Sequence, residues 1–321
     1  MDGGHLPHQL LRDASLAILP GQIRPRQGTA FVVGWQGTRG IVRSVVPTVP
    51  ELPGVSLVDD VLWLHAFLRR LTALGFPAPQ PLPAFGGNSW TVADGVFWEL
   101  VSFLPGSAVG WSPRPPVEEI GALLARYHAT AEQIRMPGQR PSALPLAQVP
   151  GVLLSALDSA VAGHHSTLIR QRAEQLSRRL SEIAPMDREP GVIHGDFTND
   201  NVIASGNPPA ATGVIDFALA HIEHPLADIG YALWRSGRPA EYATCLDPVR
   251  VRQYVHGYHS VRPLSSDQAA AIPTYMFGRG LQMIAKRVRA QRPDIGMLPE
   301  VQWISANHQA LTDVIQRAIR R

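Results

Sequence analysis

The sequence predicts an α+β protein with two lobes, a small β-rich lobe followed by a larger and mainly helical lobe. The first 103 residues contain two pairs of β-branched and aromatic runs, and each pair surrounds a short turn with a glycine. Beyond them, apolar residues recur at helical spacing over several long segments. Pro105-Gly106 follows the last N-terminal run and suits a hinge. We therefore predict lobes at residues 1–103 and 104–321.

The N-terminal lobe is predicted to contain two β-hairpins with a helix between them. The first hairpin turns at Gln36-Gly37 and the second at Asp94-Gly95, and such dipeptides favour tight turns. Ser56 is a suitable N-cap, because its hydroxyl can accept a hydrogen bond from a backbone N–H of the first helical turn. The predicted segments are 29–33 paired with 40–46, the helix 57–74, and 90–93 paired with 96–101.

The C-terminal lobe is predicted to consist of amphipathic helices around one further hairpin. Apolar residues three and four positions apart indicate each helix. The hairpin is indicated by Val202-Ile203 and Val214-Ile215, which flank the turn-forming residues 205–209. The predicted helices are 117–128, 165–184, 248–260, 266–290 and 299–320.

Composition excludes several classes of protein. No apolar run approaches the ~20 residues that a membrane-spanning helix needs, and the first residues lack the basic-then-apolar pattern of a signal peptide. Cys245 is the only cysteine, so an internal disulfide is impossible and zinc ligation is not indicated. A net charge of +3 is too small to predict nucleic-acid binding. We expect a cytoplasmic protein that binds neither membranes nor nucleic acid; the sequence does not indicate its oligomeric state.

Residues 191–217 carry the strongest functional signal in the chain. A short apolar run leads into His194-Gly195-Asp196, Asn201 follows five positions after Asp196, and the second strand of the predicted hairpin ends at Asp216. The hairpin is expected to bring Asn201 and Asp216 together at one end of its two strands. Asp196 lies on the loop that enters the hairpin, and we expect it close to both.

This set of oxygen-bearing side chains suits phosphoryl transfer to a hydroxyl. Asp196 is predicted to orient the acceptor hydroxyl and to take its proton, which makes it the candidate catalytic residue. Asn201 and Asp216 are predicted to share a magnesium ion, a hard cation that prefers oxygen ligands and also binds substrate phosphates. A solvated turn between two strands would explain one such residue, but not three at these intervals.

The pattern H-G-D-x-x-x-x-N followed by I-D-F, read at His194 to Asn201 and Ile215 to Phe217, resembles the aminoglycoside phosphotransferase and choline kinase-like family. Members of this family are small-molecule kinases with a bilobal protein-kinase-like fold. The resemblance implies transfer of the γ-phosphoryl group of ATP, or of GTP, to a hydroxyl of a small molecule. It also implies that an antibiotic, such as an aminoglycoside or another sugar- or peptide-containing compound, is the leading class of acceptor.

The resemblance also implies roles for residues in the N-terminal lobe. Lys286 is the only lysine of the chain, so the contact that a lysine usually makes with the donor's phosphates must fall to an arginine or be absent. Arg43 stands on the strand in the place of that lysine, and the alternative is that it is an ordinary solvent-facing arginine. His65 occupies the position of the helical glutamate that pairs with this basic residue. Asp59, Asp60 or no residue at all remains as the acidic partner of Arg43.

The resemblance also implies roles for Ser102, Leu104 and Asp228, and a fourth residue, His128, is interpreted from its position on an apolar helix face. The backbone of the hinge is expected to bind the adenine edge at Ser102 and Leu104. Asp228 is expected to brace the catalytic loop, either by capping its helix or by accepting hydrogen bonds from the backbone of the loop. His128 is expected to be an ordinary packing residue of its helix.

Alternatives to an antibiotic kinase remain open at this stage. From residue 241 to the end the sequence has eleven Lys and Arg against six Asp and Glu, which disfavours a strongly cationic acceptor. A metabolic kinase for choline, homoserine or a fructosamine-type acceptor has the same catalytic residues. A protein kinase is disfavoured by Gly195 and by the absence of Ala-Pro-Glu after Asp216. A catalytically silent binding module need not keep Asp196, Asn201 and Asp216 together.

Overall fold

The computed structural model describes most of the chain, and every structural statement below concerns that part. The described residues are 6–20, 29–45, 56–112, 114–136, 138, 140, 142–157, 165–183, 190–290 and 296–320. Val46, at the end of the predicted second strand, and residue 184, at the end of a predicted helix, lie outside them.

An antiparallel five-stranded sheet forms the N-terminal lobe, with strand order β1-β2-β3-β5-β4. The strands are β1 (Ala17–Ile18), β2 (Ala30–Trp35), β3 (Thr38–Ser44), β4 (Trp90–Ala93) and β5 (Val96–Ser102). Helix α1 (His8–Asp13) precedes the sheet, and α2 (Leu57–Ala73) lies between β3 and β4 in the sequence. Both predicted hairpins are confirmed. The Ser56 hydroxyl accepts from the Asp59 N–H at 3.1 Å, which confirms the predicted N-cap.

The described C-terminal region is mainly helical. Its helices are α3 (Val117–Ala131), α4 (Val149–Ser155), α5 (Ser166–Glu182), α6 (Pro225–Ser236), α7 (Pro248–Val261), α8 (Ser266–Arg289), α9 (Leu298–Ala306) and α10 (His308–Ile319). Helices α3 and α7 cross with their backbones in contact. A Cβ at Gly121 would lie only 2.1 Å from the Tyr254 carbonyl oxygen, so no side chain fits at this position. None of the helices in the described ranges has both the length and the apolar character that crossing a bilayer requires.

The last predicted helix is wrong in one respect, because two helices replace it. The break is at Asn307, whose side-chain amide donates to the Trp303 carbonyl at 2.9 Å. An asparagine that bonds to a nearby carbonyl competes with the helical hydrogen bonds, and this competition favours a helix end at that position. The sequence pattern missed the break because apolar spacing continues across it.

Two small sheets position the loop at residues 194–201, which carries Asp196 and is called the catalytic loop after its predicted role. Strand β7 (Gly191–Ile193) pairs antiparallel with β10 (His221–Glu223). Strands β6 (Ser107–Ala108), β8 (Val202–Ser205) and β9 (Ala210–Val214) form the other sheet in the order β6-β8-β9. The predicted hairpin at β8 and β9 is thereby confirmed. The boundary between lobes at residue 103 stays a prediction; β5, the last strand of the large sheet, ends at Ser102.

Candidate active site

The loop that carries Asp196 is fixed by a buried carboxylate. Asp228, in the first turn of α6, accepts from the backbone N–H of His194 at 2.6 Å and from that of Gly195 at 2.8 Å. Burial would raise the pKa of Asp228, but hydrogen bonds from the His128 side chain and the His194 backbone, together with the electrostatic effect of the two imidazoles, lower it below its ordinary value. The predicted brace is confirmed, and it acts through the backbone of the loop.

His128 is buried as predicted, but it does more than fill space. Its Nε2 lies 3.3 Å from Asp228 Oδ2, and its Nδ1 lies 2.8 Å from the Tyr258 hydroxyl. It therefore connects α3 and α7 to the residue that holds the loop.

Gly195 has a structural reason for being glycine. Its φ is +76°, and a Cβ there would lie 2.3 Å from the Leu219 carbonyl oxygen. Any side chain would therefore push the loop away from the segment that follows Asp216. The sequence identified Gly195 as a departure from protein kinases, and the close approach of the two backbones accounts for it.

His194 links the loop to the end of β9. Its Nδ1 accepts from the Asp196 N–H at 3.2 Å, so the proton is on Nε2, which donates to the Ile215 carbonyl at 3.1 Å. Ile215 directly precedes Asp216. The histidine thus sets the spacing between the two segments that carry Asp196 and Asp216.

Asn201 joins the loop to the hairpin. Its Nδ2 donates to the Asp196 backbone oxygen at 2.9 Å and to Asp196 Oδ2 at 3.0 Å. The Ile215 N–H donates to the Asn201 carbonyl at 2.9 Å, which sets Asp216 beside Asn201 across the strand ends. The structure therefore brings together the three residues that the sequence predicted to converge. With Nδ2 directed at Asp196, the amide oxygen of Asn201 is the atom available to a cation.

Asp216 adopts an uncommon backbone conformation. Its φ is 62° and its ψ is 64°, in the left-handed region, immediately before a short 3-10 helix at Phe217–Leu219. Among residues with a side chain, aspartate and asparagine tolerate this region best. Such strain is concentrated at functional sites, where the surrounding structure holds it in place.

The donor set suits a cation that is completed by substrate oxygens. In the described ranges, no group of three His, Cys, Asp or Glu side chains is arranged to hold a metal. The Asn201 amide oxygen and the Asp216 carboxylate offer two hard ligands. Magnesium is commonly bound in this way, through one or two protein oxygens with water and phosphates completing the octahedron.

Arg43 lies across the cleft from this pair. Its Nη1 is 3.4 Å from Asp216 Oδ1, and its Nε donates to Glu99 Oε1 at 2.5 Å. Burial would lower the pKa of Arg43, but the Glu99 and Asp216 carboxylates raise it above its ordinary value. The guanidinium is therefore a permanent cation at the site.

The acidic partner of Arg43 is Glu99, and the candidates named from the sequence are wrong. Asp60 instead binds Arg140 through two bonds of 2.5 and 2.6 Å, and Asp59 accepts from the Ser56 hydroxyl at 2.7 Å. Glu99 lies directly opposite Arg43 in the register of β3 and β5. That register could have revealed the pair, but pairing between strands more than fifty residues apart is not visible in local patterns.

Arg140 joins α2 to the segment after Asp216. Its Nη2 donates to the Ala218 carbonyl at 2.9 Å, and its Nη1 donates to the Ala220 carbonyl. Since the same guanidinium holds Asp60, the start of α2 and the turn after Asp216 are fixed to each other. No pattern in the sequence indicated this contact.

The residues predicted to form the hinge lie at and just after the end of the large sheet, because β5 ends at Ser102 and Leu104 follows two positions later. The Ser102 N–H donates to the Gln80 carbonyl at 2.8 Å, and its hydroxyl accepts from the Gln80 N–H at 2.8 Å. The Leu104 side chain packs against Gly213 on β9. Contacts of Ser102 and Leu104 with the adenine edge stay a prediction.

A small pocket opens beside the catalytic loop. It is lined by Gly195, His221, Glu223, Tyr275, Arg279 and Gln282 among others, and we call it the Gly195 pocket. Arg279 Nη2 donates to the Gly195 carbonyl at 2.7 Å, and the guanidinium lies 4.7 Å from the centre of the Tyr231 ring. The sequence analysis counted Arg279 only among the basic residues after position 241 and did not indicate that it reaches the loop. His221 Nε2 is 2.9 Å from Glu223 Oε2.

The surroundings of Asp196 shift the pKa of its carboxylate. Burial raises the pKa of Asp196 above its ordinary value, and the nearby Asp216 adds to the effect, whereas His194, Arg279 and the Asn201 amide oppose it. Burial and the charge of Arg279 lower the pKa of Lys286, near the same site, to about 8. A carboxylate with a raised pKa is a stronger base than a solvated one, which suits a group that must accept a proton.

We expect Asp228→Asn to destabilise the loop and lower turnover. The amide retains one acceptor oxygen for the His194 and Gly195 N–H groups, and loss of a charged hydrogen bond costs about 1.5–3 kcal/mol. Thermal unfolding and steady-state turnover measure the two effects. Asp313→Asn, on the exposed side of α10, is the control and should leave both unchanged. Wild-type values for Asp228→Asn would contradict the bracing role.

A two-lobed α+β protein with this loop, hairpin and facing arginine belongs to the class of small-molecule phosphotransferases with a protein-kinase-like fold. The model of the phosphotransferase enzyme family matches residues 28–264, and the chain belongs to that family. A homoserine kinase from Rhizobium rhizogenes is 29% identical over 235 residues, which cover 72% of this chain and 69% of the relative.

Two solved structures superpose on this fold. An aminoglycoside phosphotransferase from Alicyclobacillus acidocaldarius superposes with a TM-score of 0.65 at 15% identity. The superposition covers 100% of this chain and 98% of that phosphotransferase. The amicoumacin kinase hAmiN, solved with AMP-PNP, Ca2+ and amicoumacin, gives a TM-score of 0.63 at 15% identity, with coverage of 97% and 89%. The predicted family and bilobal kinase-like fold are confirmed. The chain is a phosphotransferase that acts on a hydroxyl group of a small molecule.

Proposed function

We propose that the chain phosphorylates a small hydroxylated metabolite with magnesium-ATP as the donor, and that Asp196 is the catalytic base. The observation that carries the proposal is the contact of Asn201 with the Asp196 carboxylate at 3.0 Å, in a cleft where Arg43 approaches Asp216. Asn201 and Asp216 are the proposed magnesium ligands. Arg43 holds the donor's phosphates, and the backbone at Ser102 and Leu104 receives the adenine.

The proposed step needs only one proton acceptor from the protein. The acceptor hydroxyl donates a hydrogen bond to Asp196, and its oxygen forms a bond to the γ-phosphorus while the bond to the bridging oxygen of the donor breaks. Asp196 takes the proton as the new bond forms, and the leaving nucleoside diphosphate, ADP, keeps the electron pair on its terminal oxygen. Magnesium supplies charge neutralisation when bound. Because Arg43 carries a permanent positive charge, it stabilises the negative charge that grows on the leaving oxygen.

The donor preference is tested separately from the step itself. ATP is the donor expected from the family, and GTP is the alternative. Turnover with each nucleotide at matched magnesium concentration gives the ratio of kcat/KM. A ratio in favour of GTP would correct the proposed donor and leave the roles of Asp196 and Asp216 in place.

Two acceptor classes follow from the sequence, an antibiotic and a metabolite, and the charges of the Gly195 pocket favour the metabolite. Arg279 has five N–H donors and uses one on the Gly195 carbonyl and one on the Gln282 side-chain oxygen, so those that remain can hold an anionic group. Glu223 brings a carboxylate into the same pocket. A small acceptor with a carboxylate and an ammonium group matches both signs, as homoserine does, and a homoserine kinase is among the sequence relatives. The positive charge of the Arg279 guanidinium would repel a polycationic aminoglycoside.

A donor-depletion screen tests the acceptor. Purified protein with magnesium-ATP is incubated with homoserine, with other hydroxylated amino acids and amino alcohols, with choline, and with a panel of aminoglycosides and peptide antibiotics. We expect acceptor-dependent ADP release with a hydroxylated amino acid. Release only with an aminoglycoside would replace the metabolic assignment with antibiotic phosphorylation. ATP binding without transfer to any member of a broad library would favour a binding module.

We expect Arg43→Ala to raise the KM for ATP and to lower turnover, with little change in the KM for the acceptor. The arginine fork can bind phosphate oxygens at two points, and charged hydrogen bonds of about 1.5–3 kcal/mol correspond to losses of roughly ten- to a hundredfold. Arg43→Lys should recover only part of the loss, because an ammonium cannot reproduce the fork. Arg12→Ala, an exposed arginine of α1, is the control. Unchanged nucleotide kinetics in Arg43→Ala would remove Arg43 from the site.

A further inference from the structure

A buried chain of polar groups lies behind Arg43. Glu99 accepts from Arg43 Nε at 2.5 Å with one carboxylate oxygen and from His65 Nε2 at 2.6 Å with the other. The Ser89 hydroxyl lies 2.8 Å from His65 Nδ1 and accepts from Arg69 at 2.7 Å. Hydrogen bonds therefore run without a break from α2 and the segment before β4, through β5, to the arginine that faces the cleft.

The carboxylate and the imidazole of this chain are buried, whereas the arginine is partly exposed. The side chains of Glu99 and His65 are 3% and 0% exposed, whereas that of Arg43 is 29% exposed. A carboxylate buried this deeply is costly unless both oxygens are satisfied, and here each oxygen has its own donor. Burial would raise the pKa of Glu99, but Arg43 and His65 lower it to about 2, so it is an anion at every working pH.

The direction of the Arg43 guanidinium follows from which nitrogen is occupied. Glu99 binds Nε, and Nη1 extends to within 3.4 Å of Asp216. A planar guanidinium held at Nε cannot turn without breaking that bond. Its terminal nitrogens are therefore held toward the cleft, next to the proposed magnesium ligand.

We propose that Glu99 is the positioning residue for Arg43, and that His65 on α2 positions Glu99 in turn. This inference rests on the proposed role of Arg43 at the donor phosphates. The helical glutamate that pairs with the phosphate-holding residue in kinases is thus replaced by two residues, a carboxylate on β5 and an imidazole on α2. The position of α2 acts on the donor site through Glu99 and not through a direct ion pair.

The first test is Glu99→Gln, which keeps the size of the side chain and removes its charge. We expect the KM for ATP to rise about tenfold, in line with a lost charge-assisted bond, while the KM for the acceptor stays within twofold of wild type. Glu99→Asp keeps the charge but is too short to reach both Arg43 and His65, and it should show the same split. Glu118→Gln, with a side chain that is 56% exposed on α3, is the matched control.

The second test moves the carboxylate from the strand to the helix. In His65→Glu combined with Glu99→Gln, an acid on α2 stands where the imidazole now contacts position 99. We expect this double variant to recover part of the ATP affinity that Glu99→Gln loses. A role for Glu99 in packing alone predicts no recovery, because the double variant changes two buried residues instead of one.

Combination with Arg43→Ala separates the possible outcomes. If Glu99 acts through Arg43, Glu99→Gln adds no further rise in the KM for ATP when Arg43 is already alanine. Wild-type ATP kinetics in both Glu99 variants, with a clear effect of Arg43→Ala, would overturn the inference and leave the proposed function intact. Additive losses, or equal losses for ATP and acceptor, would also overturn it. If Glu99→Gln does not fold, the same criteria apply to Glu99→Asp.

Discussion

Asp196→Asn is expected to lower turnover by about two to four orders of magnitude, the usual contribution of a positioned general base. The substitution keeps the shape of the side chain but removes the proton acceptor, so the acceptor hydroxyl loses the group that orients it and takes its proton. The Asn201 amide donates to Asp196 Oδ2 in the wild type, and the new amide can present an oxygen at the same place. Folding and ATP binding should therefore be nearly unchanged.

Single-turnover measurements with saturating ATP and acceptor separate this chemical effect from binding. Thermal unfolding and ATP titration of the same preparation establish that the variant folds and binds the donor. Asp94→Asn, in the exposed turn between β4 and β5, is the control for the substitution itself and should keep wild-type turnover. Near-full turnover of Asp196→Asn on the true acceptor would remove Asp196 from the mechanism.

Asp216→Asn is expected to abolish the tightening of ATP binding by magnesium and to lower turnover by about three orders of magnitude, because a catalytic metal contributes several kcal/mol. The variant offers two neutral amide oxygens, those of Asn201 and the new side chain, where the wild type offers one amide oxygen and one carboxylate. Asparagine is preferred to alanine because Asp216 has a φ of 62°. Asparagine tolerates that conformation, whereas alanine would add backbone strain to the loss of the ligand.

ATP titrations with magnesium and with EDTA measure the effect as a ratio of two dissociation constants. We expect a large ratio for the wild type and a ratio near one for Asp216→Asn. Asp94→Asn is also the matched control here, because Asp94 has a φ of 52° and tests the same substitution in the same backbone conformation. A variant with the magnesium dependence of the wild type would contradict the assignment of Asp216 as a metal ligand.

Local patterns were sufficient for the hairpins, for most of the helices and for the order of the site residues. Gln36-Gly37 and Asp94-Gly95 specify their turns through backbone preferences that act over a few residues. The interval between Asp196 and Asn201, followed by a hairpin of fixed length, predicted that both would converge with Asp216, and the structure brings the three together. Their chemical roles stay predictions until the variants are measured.

Only the tertiary structure decided which side chains surround that loop. Glu99 is 56 residues from Arg43 in the sequence, and Arg279 is 84 residues from Gly195, yet each pair is in hydrogen-bond contact. Such contacts depend on strand register and on the crossing of helices, which are set by packing of the whole core and leave no periodic signal. The sequence by itself determined the pattern from His194 to Asp216 that resembles the small-molecule phosphotransferases. The fold determined that a carboxylate on β5 orients Arg43 and that an arginine of α8 reaches the loop, because burial of their charges requires partners that only the folded chain brings within reach.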